Sequence, residues 1–307
     1  MSIETNLTSQ SAQSTADSAQ TLRAYAELIK LRISTMVLFT FCVTGVLSAG
    51  LNVDLLTLFY ATVGMLLIAS SGNAMNMYLE RYTDFLMPRT SGRPLPAQKL
   101  SSTEVVSFAS ICFGASVAIL GFLVNWPTAI CGIATWILYV WVYTPLKTIT
   151  PLNTEVGAIP GAMPILMGSL ATTGGITEIS FYFFLVLLIW QFPHFMSIAW
   201  MYRNQYEHGG LKMITVTDPT GKSAGLKAVA TCILMIAVSL LPALLFEQRI
   251  VAVVFVLLAL VFGWFYLKAS WRFAINRNDQ TARKLLKSSV LYLPMYMLIM
   301  VVGSFIG

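Results

Sequence analysis

The chain has 307 residues, 57% of them hydrophobic and only 10% charged, whereas a soluble domain carries roughly 25% charged residues. An ordinary soluble fold is excluded, since long stretches such as Ile250 to Leu267 offer no charged residue to a solvated face. The net charge of +6 does not point to nucleic acid, because the basic residues sit between apolar segments, where membrane topology accounts for them.

Residues 1–21 are rich in Ser, Thr and Gln, with Glu4 and Asp17 but no Lys or Arg. That matches neither a signal peptide nor a transit peptide. Residues 1–22 are expected to form a polar, disordered cytoplasmic tail, and 23–307 a single membrane domain. Nine apolar windows follow, at 33–50, 55–80, 104–124, 127–146, 156–172, 179–202, 225–246, 250–268 and 288–306. Each approaches the roughly 20 residues that a membrane helix requires. The expected fold class is therefore all-α, a polytopic bundle of nine transmembrane helices.

Every Lys and Arg except Arg249 falls before window one or near the connections after windows two, four, six and eight. Lys268, Arg272, Arg277, Arg283, Lys284 and Lys287 are read as filling the loop after window eight. The partition predicts a cytoplasmic N-terminus, cytoplasmic long loops and a C-terminus outside. Window five carries Gly157, Pro160, Gly161, Pro164 and Gly168, which survive in membranes where helices pack closely or a cavity is lined. Cys42, Cys112, Cys131 and Cys232 all lie in apolar segments without CxxC spacing, as packing residues do.

Where window two ends, Asn76, Glu80 and Asp84 are four residues apart, each rotated only about 40° from the last, so all three share a helix face. Two carboxylates and an amide can offer oxygen ligands to Mg²⁺; the alternative is a solvated helix end with Glu80 paired to Arg81 or Asp84. Asp84 is expected at the wet end of the helix rather than in the packing core. Arg89, Arg93 and Lys147 lie at the same boundary, and with the acids they describe a diphosphate pocket, although topology alone also explains cations there. Tyr143, Pro145, Lys147, Pro151 and Asn153 form an irregular exit from window four. The glycines after it allow close approach either of a ligand or of a neighbouring helix. In window six His194 follows Pro193. An intramembrane ionisable residue is a functional candidate by default; its other reading is a partner for carbonyls freed by the proline.

These blocks resemble a family, the protohaem IX farnesyltransferases or haem O synthases of the UbiA-type intramembrane prenyltransferase superfamily. The resemblance rests on Asn76-x3-Glu80-x3-Asp84-x2-Met87-x-Arg89-Thr90-x2-Arg93-Pro94, on Tyr143-Thr144 through Lys147, Asn153, Gly157, Gly161 and Gly168, and on Trp190-Gln191-x-Pro193-His194-Phe195. It implies a nine-helix bundle enclosing a substrate cavity in a cell (inner) membrane. It also implies transfer of farnesyl from farnesyl diphosphate to a vinyl group of haem B with addition of water, giving haem O for a downstream haem A synthase. Carried over by position, Asn76, Glu80 and Asp84 form the metal motif for Mg²⁺, and Arg89, Arg93 and Lys147 belong to the diphosphate end. Tyr143, Asn153, His194, Tyr206 and Glu207 complete the candidate substrate-binding set, with Lys147 grouped with the metal motif as catalytic. One departure stands out. The family has an acidic pair or a single Asp just before the position of Tyr206, and this chain has Asn204 and Gln205. Glu207 could take that place, amide oxygens could serve, or the activity could be altered.

Rival readings from other classes are a secondary transporter, for which no repeated half with matching interruptions is found, and a haem-carrying subunit. The latter needs facing axial ligands, and His194 and His208 lie near one helix end. Within the enzyme class the alternative is a quinone-pathway prenyltransferase with an aromatic acceptor.

Overall fold

The computed structural model describes residues 20–306. Among the described residues nine helices are long and apolar enough to cross a membrane: Leu31–Asn52, Leu55–Leu79, Ser102–Val124, Trp126–Ile149, Asn153–Thr173, Glu178–Met201, Lys222–Leu245, Arg249–Ile275 and Asp279–Ile306. They are numbered below as spans one to nine. A helix over 20–29 precedes them, so the expected tail over 1–22 gives way to helix by residue 20; residues 1–19 lie outside the described part.

Local sequence sets several of the ends. Asp54 caps span two by accepting from the Leu56 and Thr57 N–H groups. Ser101 and Glu104 form a capping box at span three, Asn125 caps span four and Thr177 caps span six. Each side-chain oxygen satisfies a backbone donor that the helix itself leaves unpaired. Gly174, in the left-handed region at φ 73°, ends span five, a conformation that glycine adopts without steric cost.

Spans eight and nine depart from the windows read from hydropathy. Only Asn276–Asn278 connect them, and Lys268, Arg272, Arg283, Lys284 and Lys287 lie on the helices themselves. Hydropathy marks the length that a bilayer can cover; a helix with its charges exposed to water continues beyond it.

Span two packs on span three, span one on span five, and spans six to nine pack around one another. The larger core, with Phe183, Met196, Tyr266, Phe273, Tyr292 and Tyr296, belongs to the second half of the chain; smaller clusters join spans one to five. The glycines of span five are taken up by protein. A Cβ on Gly168 would collide with the Phe41 carbonyl of span one, one on Gly161 with the Gln191 side chain of span six, and one on Gly157 with the ring of Tyr143. Close packing, against a backbone at Gly168 and against side chains at Gly161 and Gly157, therefore accounts for these three positions, as small residues commonly allow in membranes. Span four widens into a π-helical turn over Leu138–Tyr143, just before Pro145. There the Thr144 hydroxyl donates to the Tyr139 carbonyl five residues back. Such widened turns redirect the side chains that follow, here Tyr143 and Lys147.

Candidate active site

The end of the bundle that carries the basic connections also gathers the acids. Span two stops at Glu80, whose φ of −87° and ψ of 2° leave the helix, and a short helix resumes at Arg81–Phe85. The Glu80 N–H still reaches the Asn76 carbonyl at 2.9 Å and the Asp84 N–H reaches the Glu80 carbonyl at 2.7 Å. The shared face inferred from the four-residue spacing survives the break.

Each member of that face meets a cation. Lys30 Nζ donates to Asn76 Oδ1 at 2.8 Å, Lys147 Nζ to Glu80 Oε1 at 2.6 Å, and Arg93 Nη1 to Asp84 Oδ2 at 2.6 Å, with Glu80 Oε2 at 3.9 Å. The Asn76 amide donates to Thr144 Oγ1 at 3.1 Å, which ties span two to the exit of span four. The solvated-end reading does not hold. Arg81 stacks between Tyr78 and Tyr82 at 4.4 Å from each ring and does not pair with Glu80. Asp84 is only 1% exposed, which corrects its expected place at a wet helix end: Arg93 and Thr90, both from the segment that follows, fold back over it.

The electrostatics follow from this enclosure. Burial would push the Glu80 carboxyl up, but the charge and hydrogen bond of Lys147, with Lys30 and Arg93, outweigh it and hold the group below its ordinary range. For Asp84 burial wins over Arg93, and the charge of Glu80 adds to it, so its carboxyl is raised. Burial, then the repulsion of Arg93, push the Lys30 ammonium down to about 7. All three causes are the ordinary ones, desolvation against neighbouring charge.

Asp84 Oδ1 is buried and has no hydrogen-bond partner among the described residues. An unpaired carboxylate oxygen is costly in a buried site, and together with Glu80 and the Asn76 amide oxygen it makes a donor set of hard oxygens that fits one Mg²⁺. Among the described residues no three His, Cys, Asp or Glu side chains converge on one point.

The remaining candidates divide. Lys147 Nζ also lies 4.6 Å from the Tyr143 ring centroid, which brings Tyr143 into the cluster. Arg89 lies over Tyr202 at 4.4 Å and Tyr206 at 5.9 Å; Tyr206 is buried, and burial raises its phenol while Arg89 and Lys147 oppose the rise. Asn153 is fully buried and donates to the Thr150 and Lys212 carbonyls at 2.7 and 3.1 Å, which makes it an anchor for the loop. The Lys212 N–H in turn donates to the Lys147 carbonyl at 2.6 Å. Glu207 is exposed, next to buried Tyr206 on the short helix. His194 bonds neither freed carbonyls nor the acids: its Nδ1 lies 2.8 Å from Ser289 Oγ on span nine. The Ser289 hydroxyl also lies 2.7 Å from the Leu286 carbonyl.

Lys30 is the site residue that the sequence reading left among the topological cations. It sits in the left-handed region at φ 51°, at the joint between the helix over 20–29 and span one. That conformation is strained for a residue with a side chain and tends to persist where function requires it. Nothing in the local sequence marks it, since no glycine or asparagine stands there.

Residues 37–296 match the UbiA prenyltransferase family. The chain is 40% identical over 286 residues to a protoheme IX farnesyltransferase of Rhodopirellula baltica, covering 89% of this chain and 97% of that one. Among solved structures it superposes on a digeranylgeranylglyceryl phosphate synthase with a TM-score of 0.77 at 17% identity, covering 93% of this chain and 99% of that one. A UbiA homologue of Archaeoglobus fulgidus bound to GPP and Mg²⁺ superposes with a TM-score of 0.65 at 14% identity, covering 90% and 99%. At these identities the structural likeness speaks for the fold.

Proposed function

The chain belongs to the UbiA prenyltransferase family, and from that membership we propose that it transfers the farnesyl group of farnesyl diphosphate to a vinyl group of haem B, giving haem O. The observation that carries this reading is the convergence of Asn76, Glu80 and Asp84 with Lys30, Arg93 and Lys147 at one end of a membrane-embedded bundle.

In the reaction the bond between the farnesyl C1 and the diphosphate oxygen breaks. The terminal vinyl carbon bonds to C1, and the cation left on the adjacent carbon takes up water and loses a proton. The leaving group gathers negative charge as its bond breaks, and preplaced cations lower the barrier by meeting that charge. Lys147, Arg93, Arg89 and Lys30 are the cations placed to do so. Asn76, Glu80 and Asp84 would hold Mg²⁺, which when bound supplies further neutralisation of the diphosphate oxygens. For this, Lys147 and Arg93 exchange their carboxylate partners for phosphate oxygens, a change that the flexible lysine stem and the arginine fork permit. Apolar spans dissolve the farnesyl chain and the haem plane and keep bulk water from the cation. The basic connections favour a cytoplasmic position for this end of the bundle, in a cell (inner) membrane, with haem O passed on to a haem A synthase.

Purified protein incubated with haem B, farnesyl diphosphate and Mg²⁺ should yield haem O, identified by mass spectrometry of the extracted haem. Unchanged haem B, together with prenylation of a quinone-precursor aromatic acid offered in its place, would replace this acceptor by the other.

A further inference from the structure

The short helix Arg203–His208 and Tyr202 before it form the wall beside Arg89, and the one carboxylate of that helix, Glu207, makes no ion pair among the described residues. Asn204 and Glu207 are exposed, and Gln205 Oε1 accepts the Arg89 backbone N–H at 3.3 Å. What stands at this wall is a cation. The Arg89 guanidinium lies 4.4 Å from the Tyr202 ring centroid and 5.9 Å from that of Tyr206, and the two rings meet edge to face at 66°. The Tyr206 phenol also takes a hydrogen bond from Arg89, and of the five N–H donors of a guanidinium the others remain for phosphate oxygens. Arg89 has no acidic partner within salt-bridge distance among the described residues, whereas Arg93 and Lys147 are both paired with acids. It is also exposed, so an incoming anion can reach it.

We propose that Tyr202 and Gln205 are positioning residues for Arg89, and that the arginine so held stands where a second carboxylate-bound metal ion would, so that this chain takes its prenyl diphosphate with a single divalent ion. The inference rests on the farnesyl diphosphate reading above. It explains why neutral residues are compatible with the wall at Asn204 and Gln205. A carboxylate at 205 would sit beside Arg89 and compete for the guanidinium, whereas the amide fixes the arginine's backbone and leaves its charge unspent.

The test counts ions. Mn²⁺ bound to the purified full-length protein is titrated by electron paramagnetic resonance in the presence of a methylene-bridged, non-hydrolysable analogue of farnesyl diphosphate. One Mn²⁺ per chain at saturation is expected, and two would overturn the proposal. Tyr202→Leu should weaken analogue binding about two- to fivefold and Tyr202→Phe should restore it, because a cation–π contact at an exposed site is worth about that factor and needs the ring face alone. Arg89→Lys, which keeps the charge without the flat fork, should lose about tenfold. Native-like binding by Tyr202→Leu, or equal losses in the Phe and Leu variants, would overturn the positioning role. The ion count on the native chain requires no variant to fold. Failure of the native chain to bind the analogue at all would overturn the farnesyl diphosphate reading as well; binding with two ions overturns this inference alone.

Discussion

Lys147 donates to Glu80 at 2.6 Å across the gap between spans four and two, so the cation assigned to the diphosphate and the acid assigned to the metal are bonded to each other. Glu80→Gln should lower the rate of haem O formation about 10²-fold or more, the scale seen when one preorganised charge-stabilising group is lost. Lys147→Met should do the same. Because the two act as a unit, the double variant should lose little beyond either single one. Initial rates for the three proteins check this, and multiplicative losses would show two independent roles.

Lys30→Met should raise the KM for farnesyl diphosphate about tenfold, the worth of one charge-assisted hydrogen bond. The variant removes the donor to Asn76 Oδ1 while keeping the length of the side chain. Steady-state kinetics across a range of farnesyl diphosphate concentrations reads the change, and an unaltered KM with unaltered kcat would remove Lys30 from the site.

Asp84 should separate charge from packing. Asp84→Asn keeps an acceptor for Arg93 and is expected to insert and fold like the native chain while losing Mg²⁺-dependent turnover. Asp84→Ala leaves Arg93 with Glu80 alone at 3.9 Å and should cost about 1–3 kcal/mol of stability, the worth of a hydrogen bond to a charged group. Thermal unfolding in detergent, set beside the Mg²⁺ dependence of activity, distinguishes the two variants. Full activity of Asp84→Asn at every Mg²⁺ concentration would reject Asp84 as a ligand.

Gly168→Val should destabilise the bundle by about 1–3 kcal/mol through overpacking, because its side chain meets the Phe41 carbonyl in the contact between spans one and five. Gly114→Ala, where a Cβ meets nothing within 4 Å, is the matched control and should be silent. Melting temperatures of the two proteins check the difference; equal values would mean that the first and fifth spans can move apart freely.

A reporter inserted in the connection Asn276–Asn278 should lie in the cytoplasm, and one fused after Gly307 on the far side. Both on one side would contradict nine crossings and the orientation drawn from Lys and Arg.

The number of spans was legible because hydropathy reports burial in lipid directly, and the acid motif because a spacing of four survives any helix with 3.6 residues per turn. Other features depend on how distant segments fold back, which no local pattern encodes. Asp84 looks like a wet helix end until Arg93, nine residues on, closes over it. Lys30 looks like one more cation before a span until its left-handed backbone turns it onto Asn76. The span-five glycines read equally as ligand clearance or as helix packing, and only the partners, Phe41, Gln191 and Tyr143, decide between them. Spans eight and nine overran their apolar windows because exposed lysines and arginines favour helix as readily as a loop.

The ring of Tyr143 occupies the notch that the missing side chain of Gly157 leaves, and the same ring lies beneath the Lys147 ammonium. The two positions thus behave as a hinge pin and its socket: changing one alone jams the joint or leaves it loose. Anyone reshaping this enzyme for a bulkier isoprenoid would have to alter them as a matched pair, trimming the tyrosine before filling the glycine, with the lysine's alignment as the gauge of success.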